Sequence, residues 1–168
     1  MIHESVQEML HVAGYCLATR KPLGGCYGYP LAILLFSIMD AIGSYYAGAK
    51  YLIMIDGKER KIKKKDEHIY ILNSPYYNQT LTLHKLTKLY ANFRSLLTHN
   101  LALPPNHFLI MDEPMAPLLK YDQNNQSPFL NVTAFYRLTE SAAEKFLPVI
   151  ADIIATSKNA SNISKKTF

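Results

Sequence analysis

The chain reads as all-α: a mainly helical four-helix bundle on one core, with small β-hairpins and irregular loops inserted between the helices. Three observations lead there. Apolar residues recur at three- and four-residue spacing over four separate stretches, as in helices that each bury one face. Clusters rich in Gly, Pro, Asn and Ser punctuate those stretches. Of 168 residues, 49% are apolar and 18% charged, which suits one globular core and excludes a disordered chain.

The first helix is expected over about residues 4 to 19, where Val6, Met9, Leu10, Ala13, Cys16 and Leu17 share a face and Ser5 stands as its cap. A loop from Arg20 to Pro30 follows; its glycines do not join a strand to a helix, so it reads as a connector and not as a phosphate cradle. The second helix, about Pro30 to Tyr46, is apolar nearly all round and should be central. Its apolar run is long enough to raise a membrane span, but Asp40 and the Gly and Ser residues near its end favour a buried bundle helix.

Tyr51 to Ile55 reads as a strand, Asp56-Gly57 as a tight turn and Lys58 to Lys65 as a charged return. Apolar character resumes from His68 to Leu72. The third helix spans about Thr80 to His99, with Leu86, Leu89, Tyr90, Phe93, Leu96 and Leu97 on its apolar side, and stops before Leu103-Pro104-Pro105. Residues 106 to 131 read as irregular, with a short hairpin around Tyr121 to Gln126. The last helix, about Thr133 to Ser157, buries Phe135, Ala142, Phe146, Val149, Ile150, Ile153 and Ile154, and Pro148 should kink it. The domain is thus expected over 1–157, with a disordered basic tail at 158–168.

The net charge of +5 suits a polyanionic partner without requiring one. Cys16 and Cys26 make no zinc pattern and read as reduced residues of a cytoplasmic protein; no metal and no cofactor is expected. The start has no basic segment leading into an apolar run, so no signal peptide is expected, and no membrane partner. The run Lys61, Lys63, Lys64 and Lys65 could grip an RNA backbone, or be only a solvated hairpin whose field nearby acids dilute. Twelve tyrosines could stack on bases, although packing explains them equally simply.

The most informative segment is Arg94-Ser95-Leu96-Leu97-Thr98-His99. Arginine is permanently cationic and forks onto phosphate; histidine exchanges a proton near neutral pH. Spacing alone is weak, because a histidine in a last helical turn is favoured by the helix dipole in any case. The stretch from Leu89 to His99, however, resembles the signature helix of HEPN domains, in which an R-x4–6-H motif lies near the end of a bundle helix. Ser95 is polar, but it is not the commoner Asn, Asp or His after the arginine. The upstream segment Leu31 to Gly43, ending Asp40-Ala41-Ile42-Gly43, also resembles that family's earlier apolar helix.

The resemblance implies a homodimer with a composite site at its two-fold interface, cleaving RNA without metal by attack of the ribose 2′-hydroxyl on the adjacent phosphate. His99 would be the general acid or base and Arg94 would hold the phosphate. Ser95 would orient the imidazole or substrate, with Asn92 a further candidate. It also implies a bacterial defence or toxin–antitoxin setting, with an antitoxin or nucleotidyltransferase as partner. On a regular helix, Arg94 and His99 lie about 140° apart. Either the helix loosens before His99, or a second copy supplies the facing groups. Asp40 has two readings: the buried partner that orients Arg94, or a residue at a solvent-facing gap among Ser37, Gly43 and Ser44. The rival functions are a catalytically silent HEPN-like module that binds nucleotide, RNA or protein, and a helical adaptor in which Arg94 and His99 only pack.

Overall fold

The computed structural model describes residues 2–47, 52–122 and 128–156, with Asn162 and Lys165 beyond them. Tyr51, the turn predicted at 123–126 and the rest of the predicted tail lie outside the described residues.

Helix α2 (Gly28–Tyr46) is the axis of a mainly helical fold. Helix α1 (Ile2–Ala18), a 3-10 segment (Lys65–Asn73) and helix α5 (Val132–Phe146) all pack on it. Leu31, Leu35, Phe36, Ile38, Met39 and Ile42 are wholly buried along α2. Each such side chain stabilises the fold by roughly 1.5–3 kcal/mol. That burial explains the apolar run: α2 is long and apolar enough to cross a membrane, but half of its most apolar window is covered by the rest of the chain. The Phe36 and Phe135 rings meet edge to face at 4.9 Å and join α2 to α5.

Helix α1 begins at Ile2, so Ser5 lies inside its first turns and is not its cap. The Asp56-Gly57 turn forms as expected. Both residues have positive φ, 52° and 70°, and Ile55 pairs with Lys58 across a two-residue loop. Strands β1 (Ile53–Ile55) and β2 (Lys58–Arg60) are shorter than expected, and the charged return ends at Arg60. An irregular link over residues 61–64 leads into the 3-10 segment, which takes up only Lys65 of the expected return. Its start is held by the Glu67 carboxylate, which accepts from the backbone N–H groups of Lys63 and Lys64. Its interior side is Ile69, Ile71 and Leu72. Asn73 closes it, donating to the Met54 and Leu81 carbonyls and accepting from Leu81 N–H.

The expected third helix is three segments. Helix α3 (Leu83–Leu89) starts later than Thr80 because the Thr82 hydroxyl caps it, accepting from Lys85 N–H at 3.3 Å. A π-turn, Tyr90–Ser95, then widens the helix before α4 (Leu96–Asn100) resumes it. Leu86, Leu89, Phe93 and Leu97 face the core; Tyr90 and Leu96 are only half-buried. Leu101 ends α4 in the left-handed region.

Among the described residues between 106 and 131, three short strands interrupt the irregular chain expected there. Strands β3 (Phe108–Ile110), β4 (Leu119–Tyr121) and β5 (Pro128–Asn131) form a mixed sheet in the order β3-β5-β4. The β4–β5 pair is antiparallel, in agreement with the expected hairpin, whereas β3 runs parallel to β5. Strands this short show no alternation that local pattern can register, and the parallel pairing is non-local. Asn131 ends β5 and caps α5, accepting from Thr133 and Ala134 N–H while donating to Glu113 carbonyl; it is wholly buried and satisfied. Pro148 breaks the last helix as expected, through a 3-10 turn (Leu147–Val149) before α6 (Ile150–Thr156). That turn rotates Val149 outward, so it does not join the core.

Candidate functional site

The π-turn and the centre of α2 meet at an ion pair. Arg94 Nε and Nη2 both donate to the same oxygen of Asp40, Oδ2, at 2.7 and 2.6 Å. Only about a fifth of either side chain is exposed, 20% for Arg94 and 17% for Asp40. The face of the Tyr90 ring lies 5.2 Å from the guanidinium and fixes its other side. Of the two readings of Asp40, the Arg94 partner is therefore the one realised. Ser37 and Ser44 turn back on their own helix, donating to the Ile33 and Ala41 carbonyls.

Burial lifts the Asp40 carboxyl above its ordinary range, while the Arg94 hydrogen bonds and charge, and then His68, pull it partway back. Its second oxygen, Oδ1, is buried without a hydrogen-bond partner. The carboxylate is thus a strongly anchored but poorly solvated acid. Behind it, the Tyr77 phenol is pushed well up by burial; the Thr139 hydroxyl beside it works the other way, and the Asp40 charge adds to the rise. Neither hydroxyl makes a hydrogen bond of good geometry.

His68 is a member of this cluster that sequence reasoning did not single out. Burial lowers its pKa, Asp40 opposes the shift, and Arg94 and Lys65 add to it. A signal was present in Gly43. A Cβ there would stand 2.8 Å from the His68 carbonyl oxygen and 2.9 Å from its Cβ. Glycine in mid-helix is the residue that lets another backbone approach so closely. The Asp40-x-x-Gly43 pattern therefore places both partners: Asp40 takes Arg94, and Gly43 admits His68.

The π-turn has a local rationale. Widening the helix disturbs one turn of its carbonyl ladder, and the Thr98 hydroxyl donates to the Arg94 carbonyl at 2.7 Å and the Ser95 carbonyl at 3.2 Å. Ser95 sits half-buried at the end of the turn. His99 lies beyond it in regular α4 and is exposed. Leu97 points inward, so His99, two residues on, points to solvent, while Arg94 points to α2. The helix does loosen, but ahead of His99's own turn. One chain therefore unites Arg94 with Asp40 and leaves His99 apart on the surface.

Lys61, Lys63 and Lys64 are exposed in the link between β2 and the 3-10 segment, and Lys65 is exposed at that segment's start. Lys65 is near enough to the buried cluster to depress His68. A second histidine, His107, is tied to the same helix as Arg94. Its Nδ1–H donates to the Pro105 carbonyl, which leaves Nε2 to accept from the Asn92 amide at 2.9 Å. Among the described residues, no group of three or more His, Cys, Asp or Glu side chains could hold a metal ion. No protein-family model, curated protein or solved structure matches the chain.

Proposed function

We propose that the protein is a HEPN-like, metal-independent endoribonuclease whose composite site forms between two copies of the chain. The observation that carries this reading is the Arg94–Asp40 clamp: a half-buried acid on a central helix holds the arginine of an R-x4-H segment in one orientation. Arg94 would bind the phosphate through the donors that Asp40 leaves free. His99, exposed and five residues on, would supply proton transfer from the partner copy. A two-fold axis beside α4 would set each Arg94 near the other copy's His99, which one chain alone does not do. Ser95 would position substrate between them. The setting that accompanies this reading is a cytoplasmic defence or toxin–antitoxin protein with an antitoxin or nucleotidyltransferase partner.

A second reading is favoured by a specific observation: within one chain, Arg94 is already engaged and His99 points away. A catalytically silent module binding RNA, nucleotide or a protein partner fits that arrangement. Incubating labelled single-stranded RNA in EDTA with wild type, Arg94→Ala and His99→Ala separates the two. Cleavage to 2′,3′-cyclic phosphate ends, lost in both variants, supports the ribonuclease. RNA left intact by folded, dimeric wild type supports the silent module.

A further inference from the structure

We infer that a cleft on the far side of the Asn92–His107 bond is a binding site for one nucleotide, held by its base and its phosphate. The cleft encloses about 480 Å³ between the loop before α2 and the free edge of β3. That lies within the roughly 300–1,000 Å³ of small-molecule sites. Its chemistry is uneven in a useful way. Tyr27, Tyr29 and Phe108 line it with 40%, 46% and 47% of their surface exposed, so three partly exposed aromatic side chains stand at one place. Partly exposed aromatic rings gathered in one cleft offer a stacking surface to a planar ligand such as a base.

Charge identifies the anionic half of the ligand. Lys21 lines the cleft, and none of the lining residues is acidic. Arg20 stands beside it, its Nη1 3.2 Å from the sulfur of Met111, itself a lining residue. The loop builds this lip from its glycines. Gly24 and Gly25 take φ of 88° and 70°, so the chain folds back and Lys21 N–H reaches the Gly25 carbonyl at 3.0 Å, while Gly24 N–H reaches the Lys21 carbonyl at 2.9 Å. The opposite wall is fixed. Phe108 stacks on Phe129 at 5.3 Å, and His107 is held at both ring nitrogens by Pro105 and Asn92. A cation at one lip and aromatic faces within, on rigid walls, match a nucleoside monophosphate unit, either free or as an unpaired nucleotide of an RNA.

This inference does not rest on the ribonuclease reading, because binding is measured without cleavage. The test titrates the full chain with AMP, GMP, CMP and UMP, and separately with a short single-stranded RNA whose 2′-hydroxyls are methylated so that it cannot be cleaved, following amide chemical shifts. Tyr29→Ala and Lys21→Ala are titrated beside wild type; both positions are exposed, so circular dichroism should show an unchanged fold. Saturable binding is expected, on the order of 5- to 100-fold weaker in Tyr29→Ala. In Lys21→Ala it should be weaker and less dependent on salt. Tyr15→Ala, an exposed aromatic position outside the cleft, should bind as wild type does. Where the cleft variants weaken it, binding of mononucleotides assigns a free nucleotide, and binding of the RNA alone assigns an unpaired RNA nucleotide; either upholds the site. No saturable binding of any probe, or affinities that neither cleft variant changes, overturns it.

Discussion

Arg94 and Asp40 are joined through a single carboxylate oxygen: two guanidinium nitrogens converge on Oδ2 while Oδ1 stays buried and unpaired. A side-on pairing would have used both oxygens. Here the arginine is held by one edge, which fixes its direction and leaves its remaining N–H groups available. The pair therefore serves orientation more than stability. Burying the carboxylate costs much of what the attraction returns, and the raised Asp40 pKa is the sign of that balance.

Asp40→Asn should accordingly lie within about 1 kcal/mol of wild type at neutral pH, well short of the roughly 3–5 kcal/mol lost when a fully buried pair is broken. The pH dependence is the sharper check. A carboxyl whose folded pKa is raised contributes stability that is fully present below its ordinary value near 3.8 and lost as pH rises through the folded value. Urea unfolding across the acidic range should show the wild-type advantage over Asp40→Asn shrinking as pH rises; an advantage that grew with pH would contradict this account. His68 has the opposite sign. Its lowered pKa gives a contribution present above 6.5 and lost as pH falls, so the two residues separate on one titration.

Gly43→Ala tests the approach of the 3-10 segment to α2. In an isolated helix, alanine would be favoured over glycine by about 1 kcal/mol. Here its methyl would meet the His68 carbonyl oxygen at 2.8 Å and Cα at 3.1 Å, backbone atoms that can yield only if the whole segment shifts. The expected result is a net loss of about 1–3 kcal/mol, read from the urea midpoint. A stabilised variant would mean that the 3-10 segment moves freely and that His68 is not held against α2.

The four exposed lysines bear on RNA affinity and not on the fold. Replacing Lys61, Lys63, Lys64 and Lys65 by alanine should leave the unfolding midpoint within about 0.5 kcal/mol, as for surface changes generally. If they touch an RNA backbone, binding should weaken and the salt dependence should flatten by about 0.7 for each phosphate that is no longer neutralised. Filter binding over a salt series reads both. An unchanged slope would return the run to a solvated hairpin.

Local chemistry made much of this architecture legible. The helical spacing in α1, α2 and α5, the Asp56-Gly57 turn and the break at Pro148 all depend on neighbours within a few residues, and they appear where the sequence places them. The Arg94–Asp40 pair was legible as one of two alternatives, because an acid in an apolar helix must find a partner. What only the tertiary structure decided is non-local. The parallel pairing of β3 with β5 joins segments about twenty residues apart with no local signature. The π-turn at Tyr90–Ser95 interrupts a stretch that propensity over residues 80–99 describes as one unbroken helix, whereas the divergence of Arg94 from His99 was already implied by their spacing. His68 enters the cluster only because Gly43 lies where two backbones meet. Sequence pattern records which residues must be buried or turned; which of them meet depends on distances that exist only once the chain has packed.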